Sequence, residues 1–188
     1  AYTEATIVDR CGHDFRDLFT GSNYADSGGL QCLTQGKTID EEMKRNVYLT
    51  QAKYADFAFS FDELPFKMRG GNRVYLGDEV AGEYGTKAGK NLCEQLKYFN
   101  EINSKIRTFP ISQGPTFNGM SNYTLNMLGE LKKKQLSNLE CLASGGLIWT
   151  EEFKILERSV NLYKLEEITP KMRSHYHLLA VTGFRKLM

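Results

Sequence analysis

Four cysteines, Cys11, Cys32, Cys93 and Cys141, are the side chains with the widest chemical reach in this chain. A thiol forms disulfides, binds zinc, attacks a carbonyl or adds to an unsaturated ring substituent, and its neighbours decide among these. Zinc is disfavoured, because no C-x-x-C pair exists and the nearest groupings are Cys11-Gly12-His13 and His175-Tyr176-His177. A papain-like hydrolase is faintly matched by Gln31-Cys32 together with His175 or His177. Against it, Thr169-Pro170 places those histidines on a helix, and no Asn or Asp follows them to orient an imidazole. Two structural disulfides in an exported protein stay open as an alternative. No glycine-rich loop between a strand and a helix supports nucleotide chemistry.

Covalent attachment of a tetrapyrrole is the fourth use of such thiols. The sulfur adds to a ring side chain, a cation meets the propionates, a carboxylate accepts pyrrole N–H bonds, and aromatic rings wall the site. Each cysteine carries such neighbours. Asp14 and Arg16 lie near Cys11, and Lys37, Asp40 and Tyr24 near Cys32. Lys90, Glu94, Lys97 and Tyr98 flank Cys93, and Lys134, Glu140 and Trp149 flank Cys141.

The elements that must position these residues read as helices. Apolar positions recur at helical spacing over about residues 4–20, and again from Thr38, where a capping box with Glu41 opens a run through Met43 and Val47. That run extends into Tyr54, Phe57, Phe59 and Phe61, whose alternation suits a short strand equally, and Pro65 with Gly70-Gly71 ends it. Leu92, Leu96, Phe99, Ile102 and Ile106 form a third stripe that closes at Pro110. Ser121 opens a fourth through Leu142, Thr150 a fifth through Tyr163, and Thr169-Pro170 a sixth through Phe184. The expected fold class is therefore all-α, with about six helices.

Internal similarity organises these helices. Cys32-Leu33, Gly36 and Ile39 match Cys141-Leu142, Gly145 and Ile148 at one common offset. Glu41-Glu42-Met43-Lys44 matches Glu151-Glu152-Phe153-Lys154, and Pro65 with Lys67-Met68-Arg69 matches Pro170 with Lys171-Met172-Arg173. The expectation is a single domain over 1–188, made of two related halves at about 1–85 and 86–188, joined by a pseudo-twofold axis with Cys32 and Cys141 in equivalent places. Lys and Arg number 24 against 23 Asp and Glu, so no strong field favours nucleic acid, and no stretch approaches the roughly 20 apolar residues of a membrane span. The start, Ala1-Tyr2-Thr3-Glu4, suits a mature chain whose targeting segment has been removed. Asn122-Tyr123-Thr124 satisfies the glycosylation sequon, and no glycan is expected on it.

Helical halves, paired cysteines and a mature start make the chain similar to the γ subunits of red-algal phycoerythrin. The resemblance implies a non-enzymatic light-harvesting linker in the central cavity of a ring of phycoerythrin α and β subunits. It implies a plastid location, on the stromal face of the thylakoid within a phycobilisome. The implied cofactor is a bilin, phycoerythrobilin or phycourobilin, bound through thioethers to Cys11, Cys32, Cys93 and Cys141. Asp14, Arg16, Lys37, Asp40, Lys90, Lys97 and Lys134 would complete the bilin sites. The net charge of +1 departs from the strongly basic character of many rod linkers.

Overall fold

The computed structural model describes residues 21–136, 141–145 and 173–175. Strand β1 (Tyr24–Ala25) leads into helices α1 (Gly29–Gln35) and α2 (Glu41–Tyr54), then β2 (Phe57–Phe59). An antiparallel hairpin, β3 (Phe66–Arg69) and β4 (Asn72–Tyr75), precedes the long helix α3 (Asp78–Glu101). Next come β5 (Arg107–Phe109), β6 (Ile111–Ser112), α4 (Phe117–Lys133), β7 (Cys141–Ser144) and β8 (Arg173–His175).

The strands outside the hairpin pair in parallel. β2 lies between β1 and β5, with Ala25 opposite Ala58 and Phe59 opposite Phe109. β7 lies between β6 and β8, with Ile111 opposite Ala143 and Ala143 opposite His175. β5 and β6 are one stretch of chain interrupted at Pro110, which has no N–H to give a ladder. The carbonyl of Pro110 still accepts from the Ala143 amide at 2.8 Å, and the Ser60 amide donates to Phe109 at 2.9 Å. The strands therefore follow one another across the molecule in chain order, each crossover stepping the same way.

Right-handed crossovers that always step one way put their helices on one face of a sheet. The core is divided accordingly. Ala58 packs with Cys32, Val47, Tyr48 and Phe99 of the helices, and Leu142 packs with Leu92, Tyr123, Met127 and Leu131. The alternate strand positions Phe59, Phe109, Ile111 and Ala143 form a separate cluster among themselves. Each fully buried Phe or Leu stabilises the fold by about 1.5–3 kcal/mol relative to exposure.

These elements correct the all-α expectation: the described residues form a mixed α/β structure with four helices. Within the aromatic stretch after Tyr54, Phe57–Phe59 is strand, with the Phe57 and Phe59 rings on the strand-cluster face and Ala58 between them facing the helices. The capping box gives way to Asp40, whose carboxylate accepts from the Met43 amide at 2.7 Å. α3 begins fourteen residues before Leu92, at Asp78, and stops before Ile106, while α4 stops at Lys133 and Leu142 belongs to a strand. His175 lies in β8 rather than in a helix. Continuously apolar parallel strands give no period of two, so they merged into neighbouring helical stripes.

The expected symmetry fails for the same reason. Cys32 is helical and Cys141 lies in a strand, and Lys67-Met68-Arg69 forms a hairpin strand whereas Arg173 opens a parallel one. The expected helices over about 4–20 and from Thr150 to Tyr163 lie outside the described residues.

Helices α3 and α4 meet closely. A Cβ on Gly85 would run into the backbone of Tyr123, and one on Gly89 would lie 2.6 Å from the Met127 carbonyl. No helix among the described residues is long and apolar enough to cross a membrane.

Candidate functional site

Four parallel strands deliver polar residues to the same edge. β1 ends into Asp26-Ser27, β2 into Ser60-Phe61-Asp62, β6 into Gln113, and β7 into Gly145. All four are carboxyl ends, the edge at which parallel α/β proteins bind their ligands. Backbone carbonyls there have run out of ladder partners, and the loops that follow are free to vary.

Asp62 is the centre of the cluster, and it is 5% exposed. Ser27 Oγ donates to its Oδ1 at 3.1 Å, and Gln113 Nε2 donates to its Oδ2 at 2.5 Å. Asp26 stands beside it and accepts from the Ser27 amide at 2.8 Å. No cation bonds Asp62 among the described residues. Burial, and then the charge of Asp26, push its carboxyl up to about 7, although the Gln113 and Ser27 bonds favour the anion. Gln113 is itself 2% exposed, and its Oε1 has no partner among the described residues, nor has Ser144 Oγ. An orphaned buried acceptor of this kind is costly unless a ligand or water fills it.

The packing that aims these groups comes from the helices. Tyr123 of α4 donates through its hydroxyl to the Glu63 carbonyl at 3.0 Å, and Asn91 of α3 donates to Glu63 Oε1 at 3.3 Å. Ser112 and Thr124 share a bond of 2.6 Å, which ties the strand end before Gln113 to α4. A side chain at Gly145 would collide with the Gln113 amide, so glycine is what lets that amide lie flat across the strand end. Asp62 also forms one wall of a cavity of about 280 Å³ that Gly29, Cys32, Lys37, Thr38 and Tyr84 help to line.

The residues expected from the sequence are scattered by this fold. Cys32 is buried, its Sγ 3.4 Å from Met43 Sδ, and it shares the Asp62 cavity with Lys37. Asp40 is occupied as the cap of α2. Cys93, Lys90, Lys97 and Lys134 are brought together, with Glu94 and Glu130, around a groove of about 920 Å³ between α3 and the end of α4. Lys134 thus joins Cys93, not the neighbouring Cys141, which packs against the strand cluster of Phe59 and Phe109. Burial, followed by Glu130, holds the Cys93 thiol above its ordinary pKa, against the opposing pull of Lys134. Cys32 and Cys93 are free thiols. Cys11, Asp14 and Arg16 lie outside the described residues.

Sequence reasoning passed over Asp26, Ser27, Asp62 and Gln113. The available signal was three short apolar runs, each broken by polar residues and glycine: Tyr24-Ala25 before Asp26-Ser27-Gly28, Phe109-Pro110-Ile111 before Ser112-Gln113-Gly114, and Leu142-Ala143 before Ser144-Gly145. No described group of three or more His, Cys, Asp or Glu could hold a metal ion. No protein-family model matches the chain, and no curated protein matches it.

Proposed function

We propose that this protein binds a small molecule rich in N–H donors at the carboxyl edge of its parallel strands and moves a proton on it through Asp62. The observation that carries this is a buried carboxyl that no cation among the described residues neutralises, joined to a glutamine whose carbonyl oxygen has no partner among them. Two carboxylates and an unused amide oxygen make the site rich in acceptors. Its complement is an amidine, a guanidine or an aminated nitrogen heterocycle. A carboxyl poised near neutrality beside a second one is also suited to general acid–base work.

A panel of such compounds, screened by ligand-observed NMR against the wild type, Asp62→Asn and Gln113→Leu, tests the reading. Binders should lose about 1–3 kcal/mol of affinity in either variant. Equal binding by all three proteins would defeat it.

A second reading is favoured by the groove at Cys93. Its half-buried thiol, the flanking Lys90, Lys97 and Lys134, and the size of the groove suit a thioether-bound bilin, as in the rod linkers of phycoerythrin. Visible absorption by protein from its native source, with an adduct on Cys93, would support that reading, and an unmodified thiol would remove it.

A further inference from the structure

Asp62 is enclosed by groups that hold a carboxyl without neutralising it. Ser27 and Gln113 give it neutral donors, and a Cβ on Gly29 would lie 2.6 Å from its carbonyl oxygen and 2.8 Å from Oδ1, so α1 is closed against it. The titratable and charged groups that face it among the described residues are few. Asp26 comes from the end of β1, Glu63 is its neighbour in sequence, and Tyr123 of α4 has its hydroxyl committed to the Glu63 carbonyl. Lys37, Cys32 and Tyr84 line the adjoining cavity, and Lys37 is exposed.

We infer that the site exchanges a proton for its ligand: Asp62, held beside the Asp26 carboxylate, carries one proton when the site is empty and releases it to solvent when a cationic N–H donor binds. This rests on the ligand class proposed above and adds its regulation. The balance is simple. A protonated Asp62 and a free cation become an ion-paired cation and carboxylate, and one proton leaves to water. A buried carboxyl beside a second carboxylate does not ionise easily while no positive group among the described residues lies between them. The carboxyl pushed up to about 7 agrees with that geometry. Occupancy is thereby tied to pH across the neutral range, with the site opening to cations as the pH rises.

The full chain, labelled with carbon-13 at the Asp carboxyls, provides the test. Wild type should show a carboxyl titrating near neutrality that is missing from Asp62→Asn and moves to lower pH in Asp26→Asn; the second variant serves if the first fails to fold. Benzamidine keeps its own charge over this range and is the probe. Its affinity should rise about tenfold per pH unit below the Asp62 midpoint and level off above it. Calorimetry in buffers of different ionisation enthalpy should show about one proton released below the midpoint. An Asp62 carboxyl titrating in the ordinary range overturns the inference. Benzamidine binding that ignores pH also overturns it, while leaving the ligand class standing. No benzamidine binding at any pH, with Asp62 still titrating near neutrality, overturns the ligand class and the exchange together.

Discussion

Removing the acid from Asp62 should change how stability depends on pH before it changes anything else. Its pKa is raised in the folded state, so the stability it contributes is complete at acid pH and is lost as pH rises from the unfolded carboxyl value through about 7. Asp62→Asn lacks that loss. In urea titrations at pH 4.5 and 8, wild type should therefore decline relative to the variant by on the order of 3 kcal/mol. The same scale governs the thiols. Cys32 is sealed under Met43, whereas Cys93 and Cys141 are half-buried. A thiol reagent followed by peptide mapping should label Cys32 after Cys93, and its labelling should track global unfolding.

At the scale of elements, the glycine face of α3 is a stability determinant with little tolerance. Gly85→Ala puts a methyl group where the Tyr123 backbone already lies, and separating the two helices should cost about 1–3 kcal/mol in denaturant titrations. Tyr123→Phe keeps the packing and deletes one bond to Glu63, a loss of about 1 kcal/mol; it should also weaken ligand binding by loosening the segment that carries Asp62. These elements were only partly legible beforehand. Leu92, Leu96 and Phe99 do form the apolar stripe of a helix, because a helix declares its face by periodicity. Phe57–Phe59 and Cys141–Ser144 are too short and too apolar on both faces to declare theirs. Cysteine, the residue that attracted a chemical reading, turns out to fill packing positions at Cys32. The groups gathered at the strand ends are an ordinary serine, glutamine and two aspartates, and only the parallel crossovers bring them within reach of one another.

At the scale of the whole molecule, Pro110 divides what would otherwise be a single sheet into two ladders. Ser60 bridges the gap from β2, donating its amide to Phe109 and accepting the Ile111 amide on its Oγ at 3.0 Å. Ser60→Ala should leave Ile111 with a buried donor and cost about 1–3 kcal/mol, and hydrogen exchange should show the Ile111 amide opening well before those of Phe57 and Phe59. In mechanical terms Ser60 is a rivet. Load passing across the strands from one ladder to the other runs through Ser60, by its amide on Phe109 and its Oγ on the Ile111 amide, and through the Pro110 carbonyl on the Ala143 amide, so a pull applied across this seam should strain these few bonds at the proline before it opens either ladder.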